Sequence, residues 1–502
     1  MKIPFANHYV ALGDKFSVQT RPAAVSDPSL IRFNEALAAS LGFSAAGLDA
    51  SDVAALFAGN TVPAGAEPIA MAYAGHQFGH FVPQLGDGRA ILLGEVTGAN
   101  GVTYGLHLKG AGRTPFSRNG DGRAALGPVL REYLVSEAMA ALDVPTTRAL
   151  AAVTTGEEVA RERYLPGGVI TRVAASFVRV GSFEYFRARG DVEAIRQLAD
   201  YVIQHNYPTL YSPSRSGASG AENPYLSLLQ AVVERQARLI ARWMQLGFIH
   251  GVMNTDNMSV AGETIDYGPC AFMDAYQHDK VFSSIDELGR YAYNQQPTIG
   301  LWNLTRFAEC LVPLLADDSN EAIEMAQHAL HNYVEHYEGQ WLAGMRAKCG
   351  LAEQEGLEQS DKALMESLLN VMHENRADFT LTFFHLSRLD GKSPERDGDC
   401  RALFARPDRF DDWVVKWRER LEKETRSDEE RQAAMQAVNP VYIARNHQVE
   451  AAIRAAEDRN DFSLFHELHE VLQNPFVQQP GKGNFQRPPE PEEVVESTFC
   501  GT

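Results

Sequence analysis

The sequence predicts an α+β fold of two lobes, a small β-rich lobe followed by a larger helical one, with extensions at both ends. Three observations predict it. Glycine-punctuated, strand-like runs precede a helical half, and one of those runs ends on Lys109. The next helical pattern carries an acid, Glu132. A long helix then delivers the chain to residues 248–276, FIHGVMNTDNMSVAGETIDYGPCAFMDAY, where His250 and Asn257 stand in a His-x6-Asn spacing and Asp266 opens an Asp-Tyr-Gly triplet.

A chain of 502 residues is too long for one compact core and calls for two or three domains or lobes. We place an N-terminal extension at 1–65, the small lobe at 66–184, the helical lobe with its catalytic and metal loops at 185–425, and C-terminal helices with a Pro-rich tail at 426–502. With 45% apolar and 22% charged residues the composition is that of a globular protein. A formal charge of −19 argues against a nucleic-acid binder, which needs a basic face. No run of about 18 apolar residues offers a membrane span, and residues 1–16 lack the pattern of a secretory signal. Five scattered cysteines fit a reducing, cytoplasmic location.

In chain order, 34–42 reads as a short helix. The stretch YAGHQFGHFVPQ then places His76 and His80 four apart, but Gly75 and Gly79 spoil a metal-binding helix face, and a turn or supporting surface is the better reading. Strands are predicted at 89–96 and 102–109, with the glycine turn Gly86-Asp87-Gly88 at their mouth, where backbone N–H groups can approach a phosphate or base. A Gly/Arg-rich loop leads to a helix at 127–142 with Pro128 in its first turn. Glu132 lies 23 residues after Lys109 as its candidate partner, and Glu137 competes for that role.

More strand is predicted from 147 to 180. Arg172 and Arg179 sit there in apolar surroundings, which implies an anion, with phosphate the natural choice. Helical texture is predicted from about 185, with helices at 191–205 and 225–246 and a Ser/Gly/Pro loop at 212–224 between them. Further helices are predicted across 282–385 and near 409–424, and Asn439-Pro440 reads as the start of another.

The segment 248–276 offers magnesium an Asn amide oxygen and a carboxylate from two neighbouring strands. That suffices, because magnesium keeps several waters and takes its other ligands from substrate phosphates. Glycine turn, strand lysine, helix acid, His-x6-Asn and Asp-x-Gly together match the bilobal protein-kinase plan. One departure matters. Val252 stands where that plan puts the catalytic Asp, and valine cannot accept a hydroxyl proton. Asp256 is the residue able to take over that task. Ordinary phosphorylation and an inactive nucleotide-binding scaffold remain the alternatives.

The motifs QLGDGRA, LHLKGAGRTPFSRNGDGRAALGPVLREYLVSEAM, VITRVA, HGVMNTDNMS, IDYGPCAFMD and NPVYIARN resemble the selenoprotein O family over nearly the whole chain. The resemblance implies a kinase-like pseudokinase fold and a protein adenylyltransferase. Such an enzyme moves AMP from ATP, with Mg2+ or Mn2+, onto Ser, Thr or Tyr hydroxyls of protein substrates, with autoadenylylation as one outcome. It implies nucleotide contacts from Gly86, Gly88, Arg89, Lys109, Asp121, Gly122, Arg172, Arg179 and Asp266. Glu132 resembles the partner of Lys109, Asp256 the catalytic base, and Asn257 and Asp266 the metal ligands. Some members carry selenocysteine near the C-terminus. Here Cys500 occupies that neighbourhood. Cys500 and Cys270 either stay two free thiols or form a reversible pair that would give the activity a redox link.

Overall fold

A computed structural model describes residues 1–210 and 223–499. Ten strands come first: β1 (Ser17–Gln19), β2 (Ser29–Phe33), β3 (Ile69–Met71), β4 (Gly75–Gln77), β5 (His80–Val82), β6 (Ala90–Thr97), β7 (Thr103–Lys109), β8 (Ala124–Ala125), β9 (Arg148–Ala160) and β10 (Tyr164–Ala174). Eight of them form one antiparallel sheet in the order β1-β3-β6-β7-β10-β9-β2, with β8 attached to β10. β4 and β5 make a separate hairpin. The fold is therefore mixed α+β, with the sheet early and helices dominating the remainder of the chain.

Strand periodicity explains how the sheet serves two purposes. Successive side chains point to opposite faces. Leu106 and Leu108 of β7 face a core shared with Leu37, Leu41, Val53 and Phe57 from the first 60 residues. His107 and Lys109 therefore face the other side. Arg172 of β10 lies directly across the ladder from His107, and Ile170 across from Lys109. The first 65 residues, beyond covering one face, supply both edge strands, β1 and β2.

Helix Leu126–Ala141 crosses the functional face of the sheet. It is buried nearly all round, and even Arg131, Glu132 and Glu137 are covered. Helices Asn446–Arg459 and Ser463–Leu472 cover its other side. Strand structure ends at Ala174, earlier than the sequence suggests. Arg179 is the N-cap of helix Val180–Arg187, so helical structure resumes before residue 185.

The predicted loop at 212–224 lies outside the described residues except for Asn223 and Pro224. Asn223 accepts from the N–H groups of Tyr225 and Leu226 and so caps helix Pro224–Leu246. That helix ends at Gly247, whose φ of +68° suits a residue without Cβ. Phe248–Ile249 then pairs with Ala271–Phe272. The loop between them carries the candidate catalytic residues, and helices Gln296–Leu315 and Ser319–Lys348 pack against helix Pro224–Leu246 beneath it.

One further expectation needs correction. Asn439-Pro440 does not begin a helix; the helix starts at Asn446. The segment between is buried because Arg445 bridges Asp274 and Asp378, and Asn439 donates to the Lys348 carbonyl at 2.8 Å. The Pro-rich tail, for its part, is anchored as far as Thr498, with Phe499 exposed. Phe485 is buried, Arg445 Nε donates to the Gln486 carbonyl, and Thr498 Oγ1 donates to the Pro269 carbonyl at 2.6 Å. Cys500 lies outside the described residues.

Candidate active site

A cleft of about 730 Å³ opens between the sheet and the 250–270 loop. Gly86, Gly88 and Arg89 of the glycine turn line it, with Asp121 and Gly122 of the Gly/Arg-rich loop. Lys109, Arg172 and Arg179 line it from the sheet side, and Asp256, Asn257 and Asp266 from the loop side. Glu132 stands behind Lys109, with its carboxylate 2.5 Å from Nζ. Glu137 does not compete. It accepts from Arg148, from Asn34 and from the Ala149 N–H.

The cations are held by acids in a continuous chain. Arg172 Nη1 donates to Glu132 at 3.2 Å and to Asp266 Oδ1 at 2.6 Å. Arg179 Nη1 pairs with Asp266 Oδ2 and donates to the Asp256 carbonyl at 2.8 Å. Arg172 Nη2 also donates to His107 Nδ1 at 2.7 Å. Since arginine only donates, His107 must carry its proton on Nε2 and give that hydrogen bond to Asp87 at 3.1 Å. Burial and the nearby Arg172 keep His107 neutral, with a pKa below its usual range. Burial also pulls Lys109 down, partly offset by Glu132. Arg172 Nε and Arg179 Nε are buried without a hydrogen-bond partner among the described residues. An orphaned buried donor is costly.

The two acids of the loop behave in opposite ways. Burial pushes the Asp256 carboxyl up to about 7, against a smaller downward pull from the Gln77 hydrogen bond and Arg179. Burial acts upward on Asp266 too, but Arg179, Arg172 and Lys109 outweigh it and hold that carboxylate well below its usual range. Asp266 adopts φ of +62°, uncommon for a residue with a side chain. Asp256 and Asn257 lie in the 3-10 turn Thr255–Asn257, not on a strand as the sequence suggests. His250, buried and stacked on Trp243, donates from Nε2 to the carbonyl of Ile265 and so ties the two acid-bearing stretches together.

Sequence reasoning misses the residues that aim Asp256. The β4–β5 hairpin, which reads in sequence as a turn or support, packs onto the 3-10 turn that carries Asp256. Gln77 Nε2 donates to Asp256 Oδ2 at 3.1 Å, and the His76 N–H donates to Thr255 Oγ1 at 2.6 Å. Glu184 joins the two, 2.5 Å from both His76 Nδ1 and Thr255 Oγ1. Gly75 is needed there, since a Cβ on it would stand 2.4 Å from Asp256 Oδ1. Gln77 and Asp256 are 179 positions apart, and spacing in sequence carries no signal for such a contact. Asp121, finally, accepts from Arg161 at 2.8 and 3.2 Å, which brings a further cation to the cleft wall.

The loop-side donors fit a hard divalent cation. Asn257 Nδ2 is engaged by the Val252 carbonyl at 3.0 Å, which leaves the amide oxygen as its ligating end. Asp266 offers the carboxylate oxygens, which Arg172 and Arg179 occupy in this structure. Amide and carboxylate oxygens are what magnesium and manganese prefer.

Cations at the floor and oxygen donors at the lip suit a nucleoside triphosphate, and the class of protein is a nucleotide-dependent transferase. The model of a family described as Protein adenylyltransferase SelO matches residues 1–473. The chain is 56% identical over 502 residues to a protein nucleotidyltransferase YdiU of Bradyrhizobium sp. (strain ORS 278), covering 99% of each chain. It is 57% identical over 499 residues to the protein of that name from Rhodopseudomonas palustris (strain BisB5), with 99% of each covered. The Rhizobium johnstonii protein of that name is also 57% identical, over 99% of this chain and 97% of its own. The chain belongs to the SelO family.

Proposed function

We propose that this chain transfers AMP from ATP to Ser, Thr or Tyr hydroxyls of protein substrates, itself included, on a kinase-like, two-lobed scaffold divided near residue 184. One observation carries the reading. Three buried cations, Lys109, Arg172 and Arg179, crowd the floor of the cleft, while Asp256 on the 3-10 turn gives Arg179 its backbone carbonyl and keeps its carboxylate, bonded to Gln77, for a proton. A triphosphate whose β- and γ-phosphates lie on the cations presents its α-phosphorus to a hydroxyl near Asp256. The hydroxyl oxygen then bonds to the α-phosphorus, the α–β bridging bond breaks, pyrophosphate leaves, and the proton passes to Asp256. Charge developing on pyrophosphate meets cations already in place, which is the large term in phosphoryl-type transfer. A carboxyl near pH 7 is well matched to accept a proton under physiological conditions. Asn257 and Asp266 would hold magnesium or manganese, Asp266 once its guanidinium partners turn to the phosphates, and the ion would supply further neutralisation of phosphate charge.

Val252 supports AMP transfer over ordinary phosphorylation, because the position that carries the catalytic Asp in protein kinases is apolar and buried here. A cytoplasmic setting fits the four described cysteines, which are free and buried. Among the described residues no helix is long and apolar enough to cross a membrane. A redox link through Cys270 and Cys500 also belongs to this reading. Thr498, two residues before Cys500, bonds to the carbonyl of Pro269, the residue before Cys270.

The test uses ATP labelled on the α- or the γ-phosphate with magnesium or manganese. Protein labelled from the α position alone is expected. Label from the γ position alone makes the chain a kinase, and neither label with ATP still bound makes it a scaffold.

A further inference from the structure

Away from the cleft, two imidazoles and a carboxylate meet where the segment after Asp266 reaches the end of helix Glu358–Asn375. His278 Nδ1 and His373 Nδ1 are 3.1 Å apart, with ring centroids 4.1 Å apart and planes inclined by 58°. An oxygen of Asp279 completes a set of three atoms that all lie within 4.8 Å of one another. We propose that His278, Asp279 and His373 form a binding site for a borderline divalent metal, zinc first among them, which clamps this segment to the helix.

The distances favour it. Zinc–nitrogen bonds of about 2.0–2.1 Å in a tetrahedral sphere hold two nitrogens about 3.3 Å apart, close to the separation found. The donor set discriminates between metals. Two imidazoles and one carboxylate, with a fourth position open to water, suit zinc and its neighbours. Magnesium and calcium want a shell of oxygens.

The backbone on both sides is already fixed. Tyr276 N–H donates to the Ala377 carbonyl at 2.9 Å, and Phe379 N–H to the Asp274 carbonyl at 2.8 Å. Asn294 N–H donates to the carbonyl of His278 itself at 3.0 Å. Below these, Arg445 holds Asp274 and Asp378 together. Only side chains need adjust, and Asp279, exposed at the surface, can swing through the remaining ångström or so. Lys280 keeps its charge over the Phe282 ring, 4.8 Å from the centroid. His278 and Asp279 are exposed and His373 half-buried, so a metal reaches the site from solvent.

The experiment titrates zinc into chelator-stripped, full-length protein against a chromophoric chelator, with magnesium in excess to satisfy the oxygen donors of the cleft. The wild-type chain and Asp266→Ala are expected to take up one zinc that the His278→Ala/His373→Ala double variant does not. Each single His→Ala change is expected to weaken uptake by at least about tenfold, the loss that perturbing a supporting partner alone can cause. The double variant is expected to keep its magnesium-dependent transfer and its zinc-free Tm, which reports an intact fold. Equal uptake by the wild-type chain and the double variant overturns the proposal. Loss of uptake in Asp266→Ala overturns it as well, by placing the zinc in the cleft. No uptake by the wild-type chain overturns it too, leaving two imidazoles that share a proton.

Discussion

Asp256→Asn separates what the catalytic acid does for the reaction from what it costs the fold. Burial sets the Asp256 carboxyl at about 7, against 3.8 for an ordinary aspartate. Between those two values the folded chain keeps a proton that the unfolded chain has lost, so stability falls as pH rises through that window. About three units at 1.36 kcal/mol each put the cost of the ionised form near 4 kcal/mol at pH 8. Asparagine is isosteric, neutral, and able to accept the same hydrogen bond from Gln77. With an unfolding entropy of about 2.1 cal/mol/K per residue, a chain of this length changes Tm by roughly 1 °C per kcal/mol. Asp256→Asn is therefore expected to raise Tm by about 4 °C at pH 8, with the gain shrinking to less than half at pH 5. Transfer should fall by about 10²–10⁴-fold, the usual worth of a positioned base. Scanning fluorimetry of nucleotide-free protein at the two pH values reads the first effect, and α-labelled ATP reads the second. A variant no more stable than the wild-type chain at pH 8, or a gain that does not shrink on acidification, refutes the reasoning.

Asp266→Asn should do the reverse. It strips Arg172 and Arg179 of a shared counter-ion in a buried place, which costs about 3–5 kcal/mol and lowers Tm by a similar number of degrees. Because the Asp266 pKa is depressed, its contribution is complete above the unfolded value near 4 and is lost as pH falls toward the folded one, so acid titration of the wild-type Tm checks the sign. Gly75→Ala would press a methyl group against Asp256 Oδ1, and a displacement of that kind is expected to lower kcat by about 10²-fold with little change in nucleotide affinity, read by steady-state kinetics and nucleotide titration.

Local patterns make much of this legible. Pro128 in the first turn and the apolar repeat after it mark helix Leu126–Ala141, and Lys109 at a strand end finds Glu132 across 23 positions. Alternation locates β6 and β7 to within a residue. The hidden part is non-local. Arg172 and Arg179 read as waiting for phosphate, and nothing in their surroundings in sequence tells that Asp266, 94 and 87 positions on, already neutralises them. The hairpin at Gly75 reads as a turn because its purpose, seating Asp256, depends on a partner 179 positions away. Asn439-Pro440 carries a local helix signal that loses to Arg445, whose two carboxylate partners, Asp274 and Asp378, hold the chain in place.

The Asp266 carboxylate lying across two guanidinium groups changes how the cleft meets its surroundings. An ordinary basic pocket gathers chloride or phosphate from the medium and must shed them before its ligand settles, which is why such binding collapses as ionic strength climbs. Here the anion to be shed is tethered to the chain, and its departure returns no ion to solution. Nucleotide affinity should therefore respond to added salt less steeply than three cations would suggest, and stray small anions find the seat already taken.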